Sequence, residues 1–253
     1  MPEITSQRPR HVVLEEPRSP HGTRPAPIRS RIGADLAGGF YPAPHRYHLY
    51  LSAGCPHSLR VSITLDLLGL RDSVTTTLLA PDAPESSAAL DALHRCYEAT
   101  EHHFDGPLTV PALCDRWSGH VVSNHTPDIL RDLACRLAAH GSGPLHPLRP
   151  PSQATRIDSW HDLLAGPLSP ATLDRLDSRL AAHLYLAGDE LSAADVDVWA
   201  KLVHPAPDEV GAEPTHAYPH LRAYVRRLHD HPAFRTHHPR TVAPDRRWSD
   251  APA

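Results

Sequence analysis

In residues 46–140 the spacing of apolar residues changes repeatedly between the period of a strand and the period of a helix. Tyr47, Leu49 and Leu51 alternate with more polar neighbours, which predicts a strand over 46–52. The same criterion predicts the elements that follow: a helix over 58–70 with Leu59, Ile63, Leu67 and Leu70 on one face, a strand over 74–79, a weakly helical segment over 90–104, two short strands over 107–114 and 120–123 joined as a hairpin, and a helix over 124–140 with Thr126 as its capping hydroxyl.

A proline-rich segment separates this mixed half of the chain from a half that is helical throughout. Residues 141–151 hold four prolines and two glycines, which predicts a linker. Beyond it apolar residues recur at helical spacing, and Ser192 and Asp195 have the spacing of a capping box. The helices predicted in this half are 154–164, 170–183, 192–203 and 217–230.

The order of these elements predicts a fold class. Strands and helices that alternate and end in a hairpin and a helix are typical of an α/β thioredoxin-like domain, and the helices that follow predict an all-α C-terminal domain. Residues 1–40 carry six prolines and little periodicity, so we expect an extended arm that is ordered only where it lies on the body. The predicted boundaries are the arm at 1–40, the thioredoxin-like domain at 41–140, the linker at 141–152, the helical domain at 153–235 and a tail at 236–253.

Composition narrows the class of protein without naming a reaction. The chain of 253 residues has a net charge of −4, whereas a nucleic-acid-binding surface would be basic and clustered, so we expect no nucleic-acid partner. No apolar run approaches the roughly 18 residues of a membrane span, and residues 1–31 lack the apolar segment of a secretory signal. The four cysteines are unevenly spaced and do not indicate a disulfide framework, which favours the cytoplasm.

Most of the histidines and cysteines are predicted to have no chemical role. The chain has 21 histidines, but none of its histidine pairs combines the spacing of a zinc-binding helix with a third ligand, so we expect surface histidines and no metal. Three of the cysteines are predicted to be packing residues: Cys96, Cys114 and Cys135.

Cys55 is the exception, because it lies where the first predicted strand gives way to the first predicted helix. The amide groups and the dipole at a helix N-terminus favour a thiolate over a thiol, so we expect Cys55 to act as a nucleophile. Pro56 suits the first helical turn, and His57 would add positive charge if protonated. Ser58 stands where a second cysteine would close an internal disulfide, so a mixed disulfide with a small thiol is the accessible covalent state. The alternative is that Cys55 is a small buried hydrophobic residue.

Thr109, Val110 and Pro111 form the second candidate motif. In thioredoxin-like folds a cis-proline precedes the third strand and faces the reactive cysteine. The triplet itself carries little information, since only about 5–6% of X–Pro bonds are cis. Its position between the second helix and the hairpin is what selects Pro111.

Together these segments resemble the glutathione transferase superfamily, and within it the glutathionyl-hydroquinone reductase branch, the xi class. That branch has R-Y-H-L-Y-x-S-x-x-C-P-W-A-x-R, and residues 46–60 are RYHLYLSAGCPHSLR. It also has Y-x-G-R-V-T-V-P-V-L-W-D and I-V-x-N-E-S, where residues 104–115 are FDGPLTVPALCD and residues 121–126 are VVSNHT. Residues 185–195 are similar to the capping segment of the transferase helical domain. The resemblance covers roughly 45–140 and 172–235.

The resemblance implies a glutathione transferase architecture, a homodimer, and glutathione or another low-molecular-weight thiol as cosubstrate. Cys55 corresponds to the nucleophile of the family. The Val110 main chain before Pro111 would hold the cysteinyl part of the thiol. His125 and Thr126 fall on the Glu-Ser pair that binds the γ-glutamyl ammonium and carboxylate groups.

Two departures from the family pattern bear on the thiol. His57 replaces a tryptophan beside the nucleophile, and His125 replaces the acid that would pair with the γ-glutamyl ammonium. An imidazole cannot supply that ion pair, whereas the Thr126 hydroxyl can still bind a carboxylate.

Three hypotheses follow. The first is an enzyme in which Cys55 attacks a small electrophilic or thioether substrate, such as a conjugated hydroquinone, and a second thiol resolves the mixed disulfide. The second is a transferase, lyase or isomerase of specialised metabolism that uses another thiol, such as mycothiol. The third is a degenerate transferase fold that binds without catalysis.

Overall fold

The computed structural model describes most of the chain, namely residues 12–14, 26–33, 39–53, 55–80, 87–142, 147–203 and 217–237. The chain divides into two compact units. The first, here the thioredoxin-like unit, comprises residues 1–61 and 69–142, and the second, here the helical unit, comprises residues 62–68 and 143–253.

The secondary structure follows the predicted order closely. The strands are β1 (Val12–Leu14), β2 (Tyr47–Ser52), β3 (Thr75–Leu79), β4 (Leu108–Val110), β5 (Ala112–Asp115) and β6 (Val121–Ser123). The helices are α1 (Pro56–Leu67), α2 (Ala88–Thr100), α3 (Thr126–Asp132), α4 (Ala154–Ala165), α5 (Pro170–Ala182), α6 (Ala193–Val203), α7 (Pro219–Asp230) and α8 (Pro232–Arg235).

A mixed four-stranded sheet organises the thioredoxin-like unit. Its order is β3-β2-β5-β6, with β2 parallel to β3 and antiparallel to β5. The predicted hairpin of β5 and β6 is confirmed, and its register shifts between Leu113 and Cys114. Strand β1, from the arm, pairs in parallel with β4 outside this sheet.

Strand β2 is more deeply buried than its alternating pattern predicts. Tyr47, Leu49 and Leu51 are buried as expected, but Tyr50 and Ser52 are buried as well. The reason is that β2 lies between two neighbouring strands and is covered on both faces. His48, the remaining residue of β2, is half-buried.

The buried face of helix α1 also differs from the apolar face predicted from the sequence. Leu59 and Ile63 are buried, but Leu67 is partly exposed. Val61 and Leu65, outside the stripe, are fully buried. The predicted face was therefore too narrow, because this helix is covered around most of its circumference.

The start of α3 corrects the predicted cap by one residue. The capping position is His125 rather than Thr126, and its side chain makes no capping hydrogen bond. The predicted helix continues to residue 140, first with the wider spacing of a π-helix at Leu133–Leu137 and then as a 3-10 turn at Ala138–His140. Cys135 lies on the exposed side of this stretch, so its assignment as a packing residue is wrong.

The helical unit confirms the four predicted helices and adds α8. Helix α4 packs against α6, and α5 packs against α7. Ser169 caps α5 by accepting a hydrogen bond from the Thr172 amide at 3.2 Å. None of the helices described is both long and apolar enough to cross a bilayer.

Parts of the predicted arm, linker and tail lie outside the described residues, among them 1–11, 15–25, 34–38, 143–146 and 238–253.

Candidate active site

Cys55 stands at the N-terminus of α1, as its sequence context predicts. Its carbonyl accepts the first helical hydrogen bond, from the Leu59 amide at 2.9 Å. Helix α1 begins at Pro56, whose missing N–H group costs nothing at that position. The first-turn amides of a helix point toward its N-terminus, which is where Cys55 lies.

The peptide bond between Val110 and Pro111 is cis, which confirms the expectation drawn from position. It separates β4 from β5. The Cys55 Sγ atom lies 4.0 Å from the Val110 carbonyl oxygen. Two motifs separated by 55 positions in the sequence thus meet at one point, a thiol beside the main chain that precedes a cis-proline.

The thiol is covered in this structure. Cys55 is only 1% exposed, and it lies beside the Val110–Pro111 bond. A substrate can reach Sγ only when the atoms that cover it move. Cys55 is therefore buried, as expected of a hydrophobic core residue, and it also lies at a helix N-terminus, as expected of a nucleophile.

Ser58 holds the start of α1 against the end of β2. Its Oγ atom accepts a hydrogen bond from the Ser52 amide at 3.1 Å, and both residues are buried. Pro56 and His57 are partly exposed on the same turn. The turn that carries Cys55 is thus tied directly to the central strand.

A buried hydroxyl network supports β4 on its other side. The Tyr97 hydroxyl donates to the Thr109 carbonyl at 3.0 Å and also contacts Thr109 Oγ1 at 2.9 Å. The Asn124 side-chain amide donates to the Tyr97 hydroxyl at 3.1 Å and to Thr109 Oγ1 at 2.9 Å. Burial raises the pKa of Tyr97 to about 12, so the hydroxyl stays neutral. Through Asn124 this network links β4 to the start of α3, where His125 and Thr126 lie.

At the start of α3, where the family pattern has an acid, basic side chains gather around the Asp128 carboxylate. The His125 Nδ1 atom lies 3.0 Å from Asp128 Oδ2, and Arg29 Nε lies 2.7 Å from the same carboxylate. Arg31 adds a longer contact at 3.5 Å. Thr126 is fully buried in the first turn. Burial alone would raise the pKa of Asp128, but the hydrogen bond from Arg29 and the charge of His125 outweigh it, so the pKa lies below its ordinary value.

The arm supplies these arginines and lies along the site. The Ile28 amide donates to Asn124 Oδ1 at 2.8 Å, and the Ile32 amide donates to Asp132 Oδ2 at 3.0 Å. In β1, Leu14 stands opposite Val110. The described part of the arm is therefore held on the thioredoxin-like unit by main-chain hydrogen bonds.

The pairing of Arg29 and Arg31 with Asp128 was not predicted from the sequence. The signal was present as two arginines at spacing two in the arm and two acids at spacing four on a helix, Asp128 and Asp132. Because the partners are about a hundred positions apart, only the fold shows that they face each other.

The described residues contain no group of three histidine, cysteine, aspartate or glutamate side chains that could hold a metal ion.

Comparison with known proteins finds similarity to glutathione transferases and glutathionyl-hydroquinone reductases. Residues 169–227 match the family described as Glutathione S-transferase, C-terminal domain. The glutathionyl-hydroquinone reductase YqjG of Escherichia coli (strain K12) is 28% identical over 210 residues, which are 68% of this chain and 63% of that protein. The glutathionyl-hydroquinone reductase PcpF of Sphingobium chlorophenolicum is 27% identical over 239 residues, 80% of this chain and 74% of that protein.

The solved structures agree. The xi glutathione transferase from Phanerochaete chrysosporium superposes with a TM-score of 0.69 and 25% identity, covering 86% of this chain and 89% of that one. The chain has the glutathione transferase fold and is similar to xi-class members of that superfamily. The thioredoxin-like and all-helical halves of this glutathione transferase fold are those predicted from the pattern of elements. The chain nevertheless spans only 63% of the length of the Escherichia coli relative.

Proposed function

We propose that the protein is a thiol-dependent reductase that removes a thiol group from a small conjugated molecule, such as an S-conjugated hydroquinone, through a mixed disulfide on Cys55. The position of Cys55 carries the proposal: its sulfur stands at the N-terminus of α1 and 4.0 Å from the Val110 carbonyl beside cis-Pro111. The names of the two curated relatives, both glutathionyl-hydroquinone reductases, support the substrate class.

The proposed reaction has two steps. The Cys55 thiolate attacks the sulfur of the conjugate, and a Cys55–S–S bond forms while the sulfur–carbon bond to the ring breaks. The electron pair of the broken bond stays on the ring carbon, which takes up a proton. A second thiolate then attacks the mixed disulfide, releasing the disulfide of the small thiol and restoring Cys55. The ring carbon is reduced, and two thiol sulfurs are oxidised.

The residues around the sulfur have separate proposed roles. The Val110 main chain and Pro111 hold the cysteinyl part of the thiol, while Thr126 and His125 face its far end. Pro56, His57 and Ser58 shape the turn that presents Cys55, and Ser58 does so through its bond to Ser52. No metal is needed for either step. As the resemblance implies, we also propose a homodimer, which light scattering of the full chain tests. The uneven spacing of the four cysteines favours a cytoplasmic location.

Replacing the sulfur tests the mechanism. We expect Cys55→Ser to lower turnover of an S-glutathionyl-hydroquinone by about 1,000-fold or more, since the covalent intermediate cannot form. Far-ultraviolet circular dichroism checks that the fold is retained. Cys135→Ser, which removes an exposed thiol, is the matched control and keeps full activity.

The intermediate itself gives a second measurement. With the conjugate present and no second thiol, intact mass spectrometry of the native protein should show the mass of one added thiol group on Cys55. Full turnover in Cys55→Ser contradicts the mechanism. A folded native chain with neither adduct nor turnover favours a binding protein of transferase fold instead.

One observation favours a second candidate, in which the thiol is not glutathione. The γ-glutamyl ammonium of glutathione would meet His125, Arg29 and Arg31 around a carboxylate that they already engage. A thiol without an ammonium at this end, such as mycothiol, needs no further carboxylate there. Calorimetric titration of both thiols decides between them, and micromolar binding of glutathione argues against this candidate.

A further inference from the structure

Strand β1 of the arm pairs with a main-chain edge that the proposed reaction also uses. The pairing with β4 is parallel and runs from Val12 opposite Leu108 to Leu14 opposite Val110. Val110 is the residue whose main chain the proposed function assigns to the cysteinyl part of the thiol. The arm and the thiol therefore share a residue of β4.

The hydrogen bonds of β4 indicate which of its two sides forms this pairing. Main-chain groups of consecutive residues in a strand point to opposite sides, so every second residue takes part in one ladder. The Thr109 carbonyl accepts a hydrogen bond from the Tyr97 hydroxyl on α2 at 3.0 Å. The main-chain groups of Leu108 and Val110 point to the other side, where the Val110 carbonyl oxygen lies 4.0 Å from Cys55 Sγ. The side of β4 beside the thiol is thus the one left to pair with β1.

The arm also contacts the second segment that the proposed function assigns to the thiol, the start of α3. The Ile28 amide donates to Asn124 Oδ1 at 2.8 Å, and the Asn124 amide donates to the Ile28 carbonyl at 3.1 Å. Arg29 Nε lies 2.7 Å from the Asp128 carboxylate, which His125 also contacts. The arm thus lies against both β4 and the first turn of α3.

The burial of the nucleophile agrees with an occupied site. Cys55 is 1% exposed, so a substrate cannot reach Sγ while the surrounding atoms stay in place. A main-chain edge that already forms a ladder with one strand cannot form one with a second extended ligand. Binding of the thiol therefore requires β1 to leave Val110.

We propose that the arm is an autoinhibitory strap, in which β1 occupies the Val110 main chain of the resting protein and a thiol must displace it to reach Cys55. The inference rests on the proposed function, because that function assigns Val110 to the thiol. Only three residues of β1 pair with β4, so the strap opens without unfolding the unit. The apparent affinity for the thiol equals the intrinsic affinity multiplied by the fraction of molecules in which the strap is open.

Two prolines in β1 test the strap in the full chain. Because alternate residues of a strand donate to a given neighbour, Val13→Pro combined with Leu14→Pro removes a donating N–H whichever alternate set forms the ladder. We expect iodoacetamide to alkylate Cys55 about 10-fold faster or more in this double variant, the effect of losing one or two main-chain hydrogen bonds. Peptide mass spectrometry measures this rate, and the exposed Cys135 in the same sample is an internal reference whose rate should not change.

Thr5→Pro combined with Ser6→Pro is the matched control, since it places two prolines in the arm but outside β1. Its Cys55 should react at the native rate. Equal alkylation rates in the native chain and in the β1 variant overturn the strap, and so does an equal acceleration by the control.

Turnover measured on the same proteins separates this inference from the proposed function. With an S-glutathionyl-hydroquinone as substrate, the β1 variant should have a lower KM and an unchanged kcat, because the strap competes with binding and takes no part in the chemical steps. Faster alkylation of Cys55 with no turnover in any of the proteins supports the strap and contradicts the reaction. Turnover with the same alkylation rate and the same KM in all of them supports the reaction and contradicts the strap.

Hydrogen exchange on the native chain tests the same point if the proline variant does not fold. The thiol used is glutathione or mycothiol, whichever calorimetry shows to bind. At saturation the amides of β1 should exchange faster, while the Val110 amide stays protected because the thiol replaces β1. Unchanged exchange in β1 with the thiol bound overturns the strap.

Discussion

Two aspartates occupy the first turn of a helix in different units and are held in opposite ways. Asp195, in α6, is fully buried and accepts hydrogen bonds from neutral groups only: the Ser192 amide and hydroxyl at 2.8 Å, the Leu186 amide at 3.0 Å and the Tyr224 hydroxyl at 2.6 Å. Asp128, in α3, is held by His125 and by two arginines of the arm.

An aspartate in the first helical turn therefore has different partners in the two units. Asp195 accepts hydrogen bonds from uncharged groups, whereas Asp128 forms ion pairs with basic side chains. Burial raises the pKa of Asp195 despite its four hydrogen bonds. The pKa of Asp128 is lowered because cations outweigh its burial. We infer that Asp195 locks a loop to α6 and α7, whereas Asp128 sets the charge beside the proposed thiol site. Four predictions, from the largest expected effect to the smallest, test this contrast.

The largest effect is expected at Asp195. Asp195→Ala leaves buried donors on Ser192, Leu186 and Tyr224 without an acceptor, and each such donor costs about 1–3 kcal/mol. We expect the free energy of unfolding in urea to fall by about 3 kcal/mol or more. The matched control is Asp189→Ala, an exposed carboxylate of the same unit, which should stay within about 0.5 kcal/mol of the native chain. A loss below about 1 kcal/mol at Asp195 would contradict a structural lock.

Ser192→Ala tests one of the four hydrogen bonds to Asp195 by itself. The variant keeps the backbone bond from residue 192 to Asp195 and removes only the hydroxyl bond at 2.8 Å. We expect a loss of about 1 kcal/mol in the same urea experiment. A loss as large as that of Asp195→Ala would show that the hydroxyl, not the carboxylate, organises the loop.

Ser192 and Asp195 also illustrate what sequence could predict. Their spacing alone identified the capping box, because both partners lie within one helical turn. Cys55 and Pro111 were found in a similar way, from the order of elements around them. In both cases a local pattern, or a local pattern with a known topology, was sufficient.

Contacts between distant segments could not be predicted in this way. The pairing of Arg29 with Asp128 has no local signature, since it depends on how the arm lies on the rest of the unit. The burial of Cys55 was predicted only as the alternative to a catalytic role, and the atoms that cover it were not predicted. A cysteine followed by a proline indicates the start of a helix, but it does not indicate which residues will cover the thiol.

A smaller effect is expected at Asp128. Asp128→Asn removes the charge that holds Arg29 and His125, but Arg29 is half exposed to solvent, so the loss of stability should be about 1 kcal/mol or less. The clearer readout is hydrogen exchange, which should become faster at the Ile28 amide as the arm loosens. Arg235→Ala, on α8, is the control for the loss of a charge outside the arm. Unchanged exchange at Ile28 would show that backbone bonds alone hold the arm.

The smallest effect is expected in the pH dependence, where the two aspartates should act with opposite sign. The pKa of Asp128 is lowered from 3.8, so its contribution to stability is present above that pH and is lost as the pH falls through the folded pKa. The pKa of Asp195 is raised from 3.8, so the folded state holds the proton more tightly, and stability falls as the pH rises from 3.8 through the folded pKa. Urea unfolding of the native chain and of each Asp→Asn variant between acid and neutral pH measures both contributions as differences. The native-minus-variant difference should shrink toward low pH for Asp128 and toward higher pH for Asp195. Slopes of the same sign would mean that both carboxylates are held by charge, and the distinction between a structural acid and a site acid would fail.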